Sequence, residues 1–214
     1  MKTQPLRSFL APALAAGCLL LAACNSTTLE SSWKAPAVDS IHFTKVLVVA
    51  ASPVDSLRRM TEDAMKAQIT TVPVVTSYEL LPNRADAKDR TKLAALIKSS
   101  GVDGIIIMRL VSDANEVTYV AGTPMPMPYR SFYGYYNRPY GLSPYFYDPG
   151  SIRTDRVVSI ETNIYDAKDE SLIWSGVTKT TNPENVEDLV AQVTKVVRAK
   201  LRAQKLIPES PKAS

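Results

Sequence analysis

The chain has 214 residues, with 25 Lys and Arg against 21 Asp and Glu, one His and two Cys. The length suits one domain with a real core, and the shortage of His and Cys excludes a metal site built from those residues. Lys2 and Arg7 stand ahead of position 24, and without them 23 basic residues face 21 acidic ones. That near balance gives no footprint for a nucleic-acid partner.

Met1 to Arg7 carries two positive charges and no acid, and Ser8 to Ala23 carries no charge at all. These are the n-region and h-region of a cleaved signal peptide over residues 1–23. At about 16 residues, interrupted by Pro12, the uncharged stretch falls short of the roughly 20 that span a bilayer. It ends Leu21-Ala22-Ala23-Cys24, which resembles the lipobox of bacterial lipoproteins. The resemblance implies that Cys24 is acylated and becomes the mature N-terminus, bound to the membrane through its lipid. The rival, Ala15-Ala16-Gly17-Cys18, leaves an h-region of about six residues, below the usual 7 to 15. No cysteine follows position 24, so a disulfide in the mature chain has no second thiol. Position 25 is Asn rather than Asp, and the same resemblance then implies the outer membrane, periplasmic face.

Residues 24–40 are Ser/Thr-rich and read as a lipidated, flexible tether with an average reach of roughly 20 to 24 Å. Trp33 within it is expected to cap the edge of the fold. An α/β domain over 41–208 follows, with 209–214 as a disordered tail. Lys45-Val46-Leu47-Val48-Val49-Ala50-Ala51 is a continuous apolar run, the pattern of a central strand covered on both faces. Ser52 as N-cap and Pro53 at the first helical position start a helix over about 53–69, with Leu57, Met60 and Ala64 on its apolar face. Residues 73–81 are the second strand. A helix over 89–100 places Leu93, Leu96 and Ile97 on one side and ends at Gly101. Residues 105–111 form a third strand that runs on through Val117-Thr118-Tyr119-Val120.

Residues 122–150 hold six prolines and seven tyrosines, Tyr129, Tyr133, Tyr135, Tyr136, Tyr140, Tyr145 and Tyr147. The prolines exclude a regular helix or central strand. Two readings stand for this segment: an adaptable contact surface for a protein, a glycan or the membrane interface, or an insertion whose rings only cover the sheet edge. Beyond it, 157–165 alternates, with Val158, Ile160 and Ile164 facing one way, and pairs as a hairpin with 171–178. Asn182-Pro183 opens a last helix to about Lys205, with Val186, Leu189, Val190, Val193, Val197 and Leu201 at i, i+3, i+4 spacing. The order β-α-β-α-β-(loop)-β-β-α predicts an α/β (α+β) fold, one mixed sheet with about three helices on it.

Trp33, the strand at 45–51, Gly101-Val102-Asp103-Gly104, and Tyr165-Asp166 followed by Leu172-Ile173-Trp174-Ser175-Gly176 together resemble a family of uncharacterised bacterial lipoproteins. The likeness runs from about Trp33 to Ile207 and rests on structural motifs. In element order the chain is also similar to the N-terminal domain of TolB, the curli secretion lipoprotein and the lipoprotein activators of penicillin-binding proteins. Element order does not transmit function.

His42, the sole histidine, precedes the first strand of this domain and has no cysteine or Gly-x-Ser-x-Gly elbow to work with. Glu62-Asp63 and Glu187-Asp188 read as solvated helix faces, as do Arg58-Arg59, Arg198, Lys200 and Arg202, for which anionic lipid is the alternative. No phosphate loop, dinucleotide fingerprint or calcium loop occurs, and no cofactor, metal or catalytic residue is expected. The expected role is non-enzymatic docking or scaffolding with an envelope protein partner. Small-ligand or glycan binding through the Tyr-rich loop is the second reading, and a wall or glycan hydrolase the third.

Overall fold

The apolar run ahead of Ser52 is a central strand because two parallel neighbours and helices on both sides keep water from it. A computed structural model describes residues 26–83, 88–122, 124–126, 145–147 and 149–209, with backbone alone for 124–126 and 145–147. Its strands are β1 (Ser26–Lys34), β2 (Val46–Ala50), β3 (Val74–Thr76), β4 (Gly104–Val120), β5 (Pro124–Pro126), β6 (Tyr145–Tyr147), β7 (Ser151–Asp166) and β8 (Leu172–Thr181). Its helices are α1 (Asp55–Gln68), α2 (Ser77–Leu80), α3 (Arg90–Ser100) and α4 (Val186–Ala203). Six strands make one mixed sheet in the order β1-β8-β7-β4-β2-β3, and β5 pairs with β6 apart from it. β2 is parallel to β3 and β4, and the other pairs of the large sheet are antiparallel. This is the α/β fold expected from the element order.

One face of the sheet carries α1 and α4. Val190, Val193, Val197 and Leu201 of α4 and Ala64 and Met65 of α1 close a core with Val48, Met108, Val158, Ile160, Ile164 and Trp174. α3 lies on the opposite face with Ile105, Ile107 and Tyr165, and none of its residues is buried. Its ends follow the sequence: Asp89 accepts from the Lys92 N–H at 3.0 Å, and Gly101 closes it in the left-handed region at φ 70°. The start of β4 is pinned to the chain before β2 by Asp103. Its carboxylate accepts from the N–H groups of Thr44 and Lys45 and, at 2.7 Å, from the Thr44 hydroxyl.

Burial alone raises the Asp103 pKa, but these donors outweigh it and hold the group below the usual 3.8. A depressed folded-state pKa stabilises the protein above the unfolded value, and the contribution disappears as pH falls through the folded value. Asp103→Asn is therefore expected to lower the urea midpoint at neutral pH. From about pH 5 downward the gap to wild type should close. A constant gap between pH 7 and the acid limit would show that ionisation of Asp103 is not the cause.

Several expectations change. Residues 26–34, read as tether, form β1, because the free edge of β8 accepts any backbone that reaches it. Thr27 and Leu29 turn toward the protein, where the Thr27 hydroxyl donates to Gln192 Oε1 and bonds the Thr180 hydroxyl, each at 2.9 Å. Trp33 lies on this edge strand, 48% exposed. The second predicted strand is only three residues long, since Glu79 folds back to accept from the Thr76 N–H at 3.2 Å and starts α2. Helix α1 begins at Asp55 with Val54 in the N-cap position, so Ser52 does not cap it; the Ser52 hydroxyl accepts from the Val54 N–H in the turn before the helix. Its buried row is Arg58, Glu62, Ala64 and Met65, while Leu57 and Met60 face outward. The described residues contain four helices, α2 being the addition. No helix among the described residues is long and apolar enough to cross a membrane.

Candidate docking site at the arm end of the sheet

β4 and β7 are much longer than their neighbours. They stay paired from Gly104↔Asp166 to Val120↔Ser151, whereas β8 leaves β7 at Val157. Residues 115–120 and 151–156 therefore leave the sheet as a two-stranded arm. Such a ribbon is marginal in water unless something covers it, and this one exposes Val117 at 68%, Tyr119 at 61% and Ile152 at 73%. The three share a face, because Tyr119 lies opposite Ile152 and Val117 is two residues away.

That face is the helix-covered one. Leu110 lies opposite Ile160, and the register then shifts by one residue at Val111, so that Asp113 lies opposite Val158 on the core side. The bulge keeps Val117 and Tyr119 in line with Ile106 and Met108. Without it they would point to the α3 side.

At the arm's base the same face opens into an apolar cleft of about 370 Å3 between the first turns of α1 and α4, with Val54, Leu57, Met108, Leu110, Leu189 and Val193 in its walls. Val54 and Leu110 are about half exposed. Asp113 and Arg156 form a two-pronged ion pair on the rim, Nε to Oδ1 at 2.9 Å and Nη2 to Oδ2 at 2.7 Å. Arg156 holds the Asp113 carboxyl below its ordinary range, and Asp113 raises Arg156 in turn.

Behind the cleft, the polar corner where the chain leaves β2 is filled by the protein itself. Glu62, fully buried, accepts from the Ala50 N–H at 3.0 Å, the Ser77 hydroxyl and the Tyr78 N–H at 3.2 Å. The expectation of a solvated Glu62 was wrong because its partners lie 12 to 16 residues away in sequence. Arg58 is likewise buried rather than solvated, its Nη2 3.5 Å from the Asp55 carboxylate. Arg59 stacks over the Tyr78 ring at 4.8 Å, and Arg198 donates to the Gln68 carbonyl at 2.6 Å.

Of the residues singled out in the sequence, Cys24, Tyr129, Tyr133, Tyr135, Tyr136 and Tyr140 lie outside the described residues, as do the signal peptide and residues 210–214. Tyr145 and Tyr147 lie on β6, opposite Pro126 and Pro124. His42 is exposed ahead of β2. The described residues bring together instead Val117, Tyr119 and Ile152 of the arm and Val54, Leu57 and Leu110 of the cleft. Their strand and helix patterns were readable, but their exposure was not.

No protein family and no curated protein sequence matches the chain. Among solved structures it is similar to a PelC dodecamer from Paraburkholderia phytofirmans, at 10% identity over 81% of this chain and 95% of that one, with a TM-score of 0.36. It is also similar to lipoprotein GNA1162 from Neisseria meningitidis, at 12% identity over 75% of this chain and 99% of that one, with a TM-score of 0.38. Likeness at this level transfers no role.

Proposed function

We propose that this chain is a lipid-anchored protein of the cell envelope, on the periplasmic face of the outer membrane, with a non-enzymatic role as a docking or scaffolding component. The anchor reading rests on the lipobox-like Leu21-Ala22-Ala23-Cys24 behind an uncharged export segment. The docking reading rests on one observation: an open apolar cleft with exposed Val54, Leu57 and Leu110 in its walls and a charged pair on its rim. Apolar anchors inside a polar rim are the anatomy of a protein interface. The partner is another envelope protein that offers an apolar segment to the cleft.

A hydrolase finds little support at this place. Asp113 is the single carboxylate lining the cleft among the described residues, and Arg156 engages both its oxygens, which leaves no opposed acid pair.

A photo-crosslinking residue placed at Leu57 in intact cells is expected to capture an envelope protein that the same residue at Lys168, at the other end of the sheet, does not. Leu110→Asp should weaken that capture at least tenfold, the effect of burying a charge at a hot spot, with the fold intact. No capture at position 57, or capture indifferent to Leu110→Asp, ends the docking reading. For the anchor, palmitate label should be present on the wild type and absent from Cys24→Ser.

A further inference from the structure

With 26–34 paired in the sheet, one residue, Asn25, is left between Cys24 and the folded body instead of a tether of about 16. At no more than about 3.5 Å per step, the two steps from Ser26 back to Cys24 reach about 7 Å. Their direction is set by the topology. Ser26 pairs with Thr181, Thr181 with Val157 and Val157 with Ala114, so these four residues form one row across the sheet. β1 is antiparallel to β8, β8 to β7 and β7 to β4, so β1 runs opposite to β4. The chain before Ser26 therefore leaves the sheet at the end from which the arm projects. From Ala114 to Val120 the arm continues six residues past that row, about 20 Å.

We infer that the outer part of this arm, residues 117–120 and 151–154, lies in the headgroup region of the membrane that holds Cys24; this rests on the reading of Cys24 as the lipid-bearing residue. With the strands upright on the bilayer, the arm extends roughly 13 Å past the reach of that link. Its composition changes along its length to match. Asp113 sits at its base and Glu116 and Asp155 in its inner half, each paired with a base, Arg156, Lys179 and Arg153. From Val117 to Tyr147 the sequence contains no Asp or Glu. The outer half presents Val117, Tyr119, Val120 and Ile152, all at least 47% exposed. Tyr with β-branched neighbours suits a boundary that is apolar on one side and wet on the other.

The test uses the full-length lipoprotein in vesicles of phosphatidylethanolamine and phosphatidylglycerol with no other protein present. A nitroxide is attached at Tyr119→Cys or, at the opposite end, at Lys168→Cys, and its depth is read from oxygen accessibility. The label at 119 is expected about 5–10 Å into the boundary region, and the label at 168 in water. Adding Val117→Asp and Ile152→Asp should return the label at 119 to water while the protein still floats with the vesicles. If the protein floats and the label at 119 is aqueous without those changes, the arm proposal is overturned and the anchor stands. If in that case the label is shielded only in intact cells, a protein covers the arm instead. If the protein does not float with the vesicles, the anchor reading fails and the arm proposal falls with it.

Discussion

Glu62→Ala is expected to lower the unfolding free energy by about 3 to 5 kcal/mol, because three buried donors lose the acceptor they share. The carboxylate has no exposed surface and gathers the Ala50 N–H at the end of β2 and the Ser77 hydroxyl and Tyr78 N–H at the start of α2. It is the fastening between α1, the central strand and the segment that leaves β3. Alanine leaves those donors unpaired in a place water does not reach, at about 1 to 3 kcal/mol for each one stranded, offset where the backbone relaxes. Glu62→Gln keeps one acceptor oxygen but turns an N–H₂ toward donors, so a loss between wild type and Glu62→Ala is expected. Urea unfolding followed by circular dichroism measures both. A loss under 1 kcal/mol for Glu62→Ala would falsify the account of the corner.

Trp174→Ala is expected to cost about 3 to 5 kcal/mol as well, through a different cause. The indole is fully buried in the face covered by α4, and its Nε1 donates to Gln204 Oε1 at 2.9 Å. Its six-membered ring lies against Gly176, where a Cβ would stand 2.3 Å from Trp174 Cη2. The residue two positions along the same strand thus has no side chain because the indole occupies its space. Gly176→Ala should destabilise through that clash, whereas Trp174→Ala with Gly176→Ala should cost less than the sum of the two single changes. A strictly additive double mutant would contradict direct packing of the ring on Gly176.

How legible the chain was follows from the range of the forces involved. β2 announces itself as an unbroken apolar run because both its faces are covered, and α4 by its 3.6-residue spacing because one face carries the core. The strands β7 and β8 showed as an alternating pair. Thr76-Ser77-Tyr78-Glu79 contains a readable capping box, so α2 was visible to a stricter reading. β1 was hidden because Ser26–Lys34 has the composition of a linker, and an edge strand is held through backbone groups that composition does not report. Burial of Glu62 and Arg58 was hidden because it depends on segments that meet only after folding. The arm was hidden in another way: Val117, Tyr119 and Ile152 carry the pattern of an ordinary half-buried strand, and the sequence does not show that β8 stops short of them.

The irregularity at Val111 makes the length of β4 matter more than its composition. Upstream of it even-numbered positions turn toward the helices, and downstream odd-numbered ones do. The strand behaves as a sentence read in two frames, with one extra letter between them. A substitution at Val111 that keeps a residue there leaves both frames intact, whereas losing that residue or gaining one nearby exchanges the two surfaces of everything beyond. Variation in this stretch should be common in side chains and rare in length.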